Sequence, residues 1–182
     1  MSDDVPAWAY ERVSVRPFDP RWADRARVER ARLIELLAPW LVDGVEHVGS
    51  TAVPGLAAKP IIDLMASVND LDVVVVEAAQ CFTVDGWCFV PPELDGRPWR
   101  RFFVKPDETG QHRIAHLHLV ASGHRRWGEQ IAFRDALRRD GTLADDYEQL
   151  KRRLADRHED DREAYTNAKA GFIAKALGLA PD

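Results

Sequence analysis

The sequence predicts an α+β domain in which strands and helices share the first two thirds of the chain and helices alone form the last third. Two observations lead to this prediction. Short segments rich in β-branched and aromatic residues, bounded by turn residues, recur up to Val120, whereas the pattern from Trp127 onward has helical spacing. No repeat, low-complexity tract or interdomain linker interrupts the 182 residues, so we predict a single domain over residues 1–182.

The N-terminal elements alternate between strand and helix. The segment RVSVRPF alternates apolar and polar residues and predicts an edge strand, and the following DPRWADRARVERARLIELLAPWL has helical spacing from Asp19 and Pro20 onward. DGVEHVGST predicts a second strand that ends in a turn. KPIIDLMASV predicts a third strand, and its Ile, Leu and Val residues indicate that it is buried.

The middle of the chain begins with an ambiguous segment. In NDLDVVVVEAAQCFT the valines favour a strand, whereas Asn69 and Asp70 suit the start of a helix; we adopt the helix. WCFVPP, RRFFVKP and RIAHLHLV then predict three strands of a meander, separated by the turn-rich LDGRPW and DETGQ. The helical last third is predicted to break at Asp140-Gly141 and to end at Gly178.

The composition bounds the class of protein and of partner. No apolar run approaches the roughly 20 residues that a membrane helix needs, and MSDDVPAWAY lacks the layout of a signal peptide, so we expect a cytoplasmic protein that does not bind membranes. The net charge of −5 argues against nucleic acid and leaves an anionic or nucleotide-like small molecule as the expected partner. Cys81 and Cys88 lack the spacing of a redox or zinc motif and are expected to be buried free thiols.

A Gly-Ser-Thr turn follows the second predicted strand. Gly49 permits a tight turn and a close backbone approach, and Ser50 and Thr51 add hydroxyl groups, a combination that suits an anion such as phosphate. A plain turn capped by Ser50 explains the same residues, so the motif alone leaves both interpretations open.

A single carboxylate interrupts the apolar third strand. Asp63 is costly to bury unless it is paired or binds a cation, which predicts that it faces a functional site. Lys59 offers the alternative of an ion pair. His47, two positions before the turn, is a further metal ligand or a general base, and we take Asp63, His47 and Ser50 as the catalytic candidates.

Two histidines lie two positions apart in the last predicted strand. Because alternate side chains of a strand share a face, His116 and His118 point the same way while Leu117 and Leu119 point into the core. Two imidazoles and one carboxylate form a known metal-ligand set, so Asp63, His116 and His118 are candidates to hold a divalent metal ion. Hydrogen bonds to neighbours are the open alternative, and the position of Asp63 depends on the strand order.

Cationic and phenolic side chains are spaced along the C-terminal helices so that they can face the sheet. Together with two residues of the predicted sheet region they form a candidate set for binding a phosphate or carboxylate group. The set consists of Lys59, Arg101, Arg134, Lys151, Tyr165 and Lys169. Ion pairs between helices are the alternative explanation.

The chain resembles the GrpB family, relatives of which also occur fused to dephospho-CoA kinase. The resemblance rests on EHVGSTAVPGLAAKPIIDLMASV, HLHLV and AFRDALR, and then on Tyr147, Lys151, Tyr165 and Lys169. It extends from VRPFDPRW to the last helix. It implies a nucleotidyltransferase-like fold, a small mixed β-sheet flanked by helices.

The resemblance also implies a site pattern from which this chain departs. Gly49 and Ser50 match the Gly-Ser pair of the superfamily and Asp63 matches its first carboxylate, but Met65 stands at the second carboxylate position. His116 and His118 lie where the third carboxylate is expected. Carboxylate oxygens hold the two Mg²⁺ ions of nucleotidyl transfer and a thioether cannot replace one, so we expect a single softer metal ion or a metal-free binding site.

Three functional hypotheses follow. The leading one is a small-molecule enzyme, metal-assisted, that acts on a nucleotide-like or other anionic substrate bound by Gly49, Ser50 and Thr51. The second is a catalytically silent module that binds a nucleotide or coenzyme, which the methionine at position 65 favours. The third, a folding partner of a neighbouring enzyme, draws only on the fused relatives.

Overall fold

A five-stranded mixed β-sheet forms the centre of the protein. A computed structural model of the chain describes residues 5–12, 14–157, 164 and 167–179. The strands are β1 (Leu41–Val48), β2 (Ile62–Val68), β3 (Cys88–Val90), β4 (Arg100–Pro106) and β5 (Arg113–Ala121). Their order across the sheet is β1-β2-β5-β4-β3, with β2 and β5 parallel and every other neighbouring pair antiparallel.

Helices flank the sheet. In the described part of the chain they are α1 (Arg21–Leu37), α2 (Leu71–Glu77), α3 (Ala79–Val84), α4 (Pro92–Asp95), α5 (Arg125–Arg139), α6 (Gly141–Arg157) and α7 (Ala170–Leu177). The Asp70 carboxylate caps α2 by accepting from the backbone N–H groups of Asp72 and Val73, and Gly178 ends α7 in the left-handed conformation. These ends confirm the predicted helix signals at both positions.

Each face of the sheet carries its own apolar core. On one face, α1 buries Trp22, Leu33 and Leu37 against alternate residues of the strands, including Leu64 and Leu117. A second and smaller group packs on the opposite face beneath α5, formed by Val48, Met65, Val120, Trp99, Trp127 and Ile131. Because side chains alternate along a strand, Asp63, His116 and His118 point toward this second face.

The strand predicted over RVSVRPF is wrong. The described residues of that segment contribute one bridge, between Arg16 and Ala58, and no strand. Pro17, directly after the bridge residue Arg16, has no backbone N–H to donate to a ladder. The ambiguous segment after Asn69 is helical as predicted, but as two short helices that meet at Ala78.

The last third confirms the predicted helices and their break at Asp140-Gly141. Helices α5, α6 and α7 enclose a separate apolar core around Phe133 and Tyr147, which also contains Val53 and Leu56 from the segment that follows the Gly-Ser-Thr turn. None of the helices in the described part of the chain has the length and apolar character that a membrane crossing requires.

Candidate metal and anion site

The pairing of β2 with β5 brings the predicted carboxylate and the two histidines together. In the parallel register Asp63 lies beside His116 and Met65 lies beside His118. The Nδ1 atom of His116 is 2.9 Å from Oδ1 of Asp63, and Nε2 of His118 is 3.6 Å from the same oxygen. One potential ligand atom from each residue lies within 4.8 Å of the other two, so these three side chains could hold one metal ion.

The surroundings set the protonation states of this group. Burial raises the pKa of the Asp63 carboxyl, but contacts from His116 and His118 outweigh burial and hold that pKa well below its usual range. Burial, aided by the nearby Arg100 cation, lowers the pKa of His118 to about 4. At neutral pH Asp63 is therefore ionised and His118 neutral, the forms that bind metal ions.

An arginine that the sequence reasoning missed lies behind His118. Nη1 of Arg100 donates to Nδ1 of His118, while Nε and Nη2 of the same guanidinium donate to the two carboxylate oxygens of Asp95 at 2.9 and 2.5 Å. Phe102 opposes His118 in the register, so alternation along β4 places Arg100 on the histidine face. The alternation of RRFFVKP against HLHLV was the signal that could have identified it.

Arg101 lies on the sheet face opposite Asp63, and its part in substrate binding stays a prediction. It opposes Leu119 in the register, and its guanidinium bonds to Oδ1 of Asp72, with Nε at 2.8 Å and Nη2 at 2.7 Å. The reason is the two-residue period of a strand, which turns neighbouring side chains to opposite faces of the sheet. Of the two neighbouring arginines, Arg100 rather than Arg101 lies on the face of the two histidines.

Gly49 brings the turn into direct contact with Asp63. Its φ of 71° lies in the region that favours glycine, and a Cβ built at this position would lie 2.6 Å from Oδ2 of Asp63. Ser50 follows as the half-buried first residue of a short 3₁₀ helix, Ser50–Ala52. Gly49 therefore lies next to the predicted carboxylate.

Thr51 and His47 form a hydrogen bond with each other rather than with Asp63. The Thr51 hydroxyl is buried and donates to the Ile61 carbonyl at 3.3 Å, and Nε2 of His47 is 3.0 Å from the same hydroxyl oxygen. His47 opposes Leu64 in the register, so alternation turns it to the sheet face opposite Asp63. Burial, with smaller effects of Arg138 and Arg134, lowers the pKa of His47 to about 4.

Two of the predicted cations connect structural elements. Nη1 of Arg134 is 2.6 Å from a Glu46 carboxylate oxygen and donates to the His47 carbonyl at 3.0 Å, which ties α5 to β1. Lys151 is 2% exposed, and its Nζ donates to the Ala57 carbonyl, which ties α6 to the segment after the turn. The alternative stated from the sequence was ion pairing between helices, whereas these contacts join helices to β1 and to the segment after the turn.

Among the predicted cations, Lys169 is the one whose pKa is affected by the charge of Asp63. Burial lowers its pKa to about 8, against the opposing effect of the Asp63 carboxylate and together with the effect of Arg97. Arg97 was not predicted; its Nη2 lies 3.5 Å from Oδ1 of Asn167, at the start of the last described segment. Lys59 lies half-buried in the segment that leads into β2, and Tyr165 lies outside the described residues.

The donor set does not fit a pair of Mg²⁺ ions. Met65, which the sequence resemblance aligns with the second carboxylate, is 1% exposed and packs against Val48 and Val120. Asp63 is thus the acidic member of a group that otherwise contributes imidazoles. Hard Mg²⁺ prefers carboxylate oxygens and water, whereas two imidazoles with one carboxylate suit a single transition metal ion. These three side chains could therefore hold one transition metal ion.

Comparisons with known proteins agree with the fold and with the resemblance seen in the sequence. A family model described as GrpB protein matches residues 12–178. A UPF0157 protein of Pseudomonas aeruginosa is 37% identical over 175 residues, covering 93% of this chain and 68% of that protein. YqkA of Bacillus subtilis, also a UPF0157 protein, is 31% identical over 165 residues, which cover 91% of this chain and 46% of that relative, about half its length.

Solved structures show the same architecture. The crystal structure of conserved protein GrpB from Enterococcus faecalis superposes with a TM-score of 0.77 at 31% identity, covering 91% of this chain and 95% of that chain. The Cid1 poly(U) polymerase superposes with a TM-score of 0.54 at 10% identity, covering 85% of this chain and 49% of the polymerase. This second similarity concerns the fold alone.

Proposed function

Because this chain belongs to the GrpB family and has a nucleotidyltransferase-like fold, we propose that it is an enzyme that uses one bound transition metal ion to act on a phosphorylated, nucleotide-like small molecule. The observation that carries the proposal is the convergence of Asp63, His116 and His118, with one potential ligand atom from each within 4.8 Å. The sheet supports these residues from two adjacent parallel strands, which keeps their spacing fixed.

Charge around the group supports an anionic substrate. The pKa of Lys169 is lowered by burial and by Arg97 and is raised by the charge of the Asp63 carboxylate, so this lysine and the carboxylate act on each other electrostatically. Cations beside a metal site are suited to phosphate oxygens, because they neutralise charge that develops in phosphoryl chemistry. Gly49 and Ser50 add a close backbone approach beside the same carboxylate.

A bound metal ion would polarise a phosphoryl oxygen and lower the pKa of a bound water molecule. The protein would supply the orientation, because His116 and His118 are both in contact with Asp63. Reaction at phosphorus would then break the bond to an oxygen leaving group while an oxygen nucleophile forms the new bond.

The second candidate function is a binding module without turnover. Its support is Met65, which stands at the position of a catalytic carboxylate of the superfamily and is packed into an apolar cluster. Such a module would hold a nucleotide or coenzyme at the same site, near Lys169. The two functions predict the same ligand class and differ in metal content and turnover.

Metal analysis of the purified, untagged protein is the first test. We expect close to one equivalent of transition metal after incubation with Mn²⁺, Zn²⁺ or Fe²⁺ salts, and its loss in Asp63→Asn and in the His116→Ala, His118→Ala double variant. The matched control is Asp43→Asn, because Asp43 is an exposed carboxylate that bonds to Ser67 at the far end of β1. Metal-free wild-type protein under these conditions would rule out the metal-dependent enzyme.

A ligand screen separates the two functions. Nucleoside phosphates and phosphorylated coenzyme precursors that bind only the folded protein should raise its melting temperature. The enzyme predicts that a stabilising compound is also converted by the metal-loaded protein and that Asp63→Asn abolishes conversion. Lys169→Met should weaken binding roughly tenfold by removing one charge-assisted contact. Stabilisation without any conversion would favour the binding module.

A further inference from the structure

Arg100 restricts which nitrogen of His118 carries the proton. A guanidinium has N–H groups only and cannot accept a hydrogen bond, so its contact with Nδ1 of His118 requires a lone pair on that nitrogen. A neutral imidazole has one N–H group, which is then on Nε2. Nε2 faces Oδ1 of Asp63 at 3.6 Å, so His118 presents a hydrogen to the carboxylate.

This arrangement conflicts with metal binding at the same place. A metal ion between Asp63 and His118 needs the lone pair of Nε2, and the proton must then move to Nδ1. An N–H on Nδ1 would point at the N–H groups of Arg100, and two donors repel each other. The contact between Arg100 and His118 and metal ligation through Nε2 of His118 therefore exclude each other.

Asp95 holds Arg100 in the blocking position. Its two carboxylate oxygens accept from Nε and Nη2 of Arg100, and the Arg100 guanidinium carbon also lies 4.1 Å from the centre of the Phe102 ring. Both side chains of the ion pair are buried, with 9% of Arg100 and 4% of Asp95 exposed. A bidentate pair of this kind fixes the guanidinium in one orientation.

We infer that the Asp95–Arg100 pair regulates the metal site by holding His118 in the tautomer that cannot ligate, so that metal loading requires Arg100 to withdraw. This inference rests on the proposed one-metal function and adds a control element to it. Arg100 is a positioning residue, because it acts on the metal through His118. Its removal should raise the metal affinity of the site, whereas loss of an ordinary supporting residue would lower it.

The test measures Co²⁺ affinity by titration, following the visible absorption of the bound ion, for wild type, Arg100→Gln and Arg101→Gln. Glutamine can accept a hydrogen bond from Nδ1–H of His118 through Oε1, so Arg100→Gln should bind Co²⁺ at least tenfold more tightly than wild type. Arg101→Gln is the matched control, since Arg101 pairs with Asp72 on the other face, and should bind as wild type does. Adding His118→Ala to Arg100→Gln should abolish the increase in Co²⁺ affinity.

A second variant controls for misfolding caused by an unpaired buried charge. Arg100→Gln leaves the buried Asp95 with Arg97, at 3.8 Å, as its cationic neighbour, and the double variant Asp95→Asn, Arg100→Gln removes the isolated charge. We expect the same increase in Co²⁺ affinity, at least tenfold, in the double variant. Equal or weaker Co²⁺ binding in both variants, with measurable binding in wild type, would overturn the inference alone. Absence of Co²⁺ binding in wild type and in every variant would overturn the proposed metal function together with it.

Discussion

Gly49 and Asp63 are packed so closely that no other residue fits at position 49 without displacing the carboxylate: a Cβ there would lie 2.6 Å from Oδ2 and 3.2 Å from Cγ of Asp63. The contact joins the turn after β1 to the middle of the candidate site. It gives the glycine of the Gly-Ser-Thr motif a specific steric function beside the carboxylate, in addition to its backbone conformation.

Gly49→Ala should therefore impair both stability and metal binding. We expect a loss of roughly 2–4 kcal/mol in the free energy of unfolding, from the strained φ and the clash with Asp63, measured by urea denaturation. Gly44→Ala, in the preceding strand β1, is the matched control: its φ of 94° carries similar strain, but nothing lies within 4 Å of its Cβ. Metal affinity should fall in the first variant and persist in the second. Equal effects of both substitutions on metal affinity would show that the contact between position 49 and Asp63 does not determine metal affinity.

His47 should make folding stability depend on pH in the mildly acidic range. Its pKa is about 4 in the folded protein and 6.5 as its ordinary value, so below pH 6.5 the unfolded state binds the additional proton. Stability should fall by roughly 2 kcal/mol as the pH decreases from 7 to 4.5, and should stop falling on this account below pH 4. His47→Gln keeps a donor for Thr51 and should remove this part of the slope in urea denaturation. An unchanged slope in that variant would contradict the prediction.

Lys151 should make folding stability depend on pH between neutral and alkaline pH. Burial lowers its pKa from an ordinary 10.5 to about 7, so between these values the unfolded state holds a proton that the folded state has lost. Stability should accordingly rise with pH, by roughly 2 kcal/mol between pH 7 and 9. Lys151→Met should flatten this rise, while Lys175→Met, at an exposed position of α7, should leave it intact. If both variants keep the wild-type slope, the buried amine is not responsible.

The strands and helices that pack against one another could mostly be predicted from the sequence. The period of two in HLHLV placed His116 and His118 on one face, and the capping signal at Asp70 identified α2 in a segment whose valines favoured a strand. RVSVRPF failed because its alternation resembled a strand although Pro17 removes a ladder donor. Local pattern is informative where burial and capping agree, and it misleads where one residue type forbids the pairing.

The residues around the site could be predicted only in part. Gly49, Asp63 and the two histidines could be identified because each is unusual in its own segment, whereas Arg100 and Arg101 are identical neighbours that differ only in the face they occupy. Lys151 and Arg134 have the residue types of a substrate-binding set but bond to Ala57 and Glu46. Their partners lie about 90 positions away in the chain, so no local pattern could reveal these contacts.

The sequence by itself determined the chemistry available to this protein: one carboxylate in an apolar strand, two imidazoles on one face, a glycine turn, and a methionine where a second carboxylate is expected. The tertiary structure decided which of these groups meet. The parallel pairing of β2 with β5 placed Asp63 beside both histidines, and the antiparallel pairing of β4 placed Arg100 behind His118. The physical reason is that side-chain identity and alternation are local properties of the chain, whereas strand order and register are fixed by burial summed over the whole sheet.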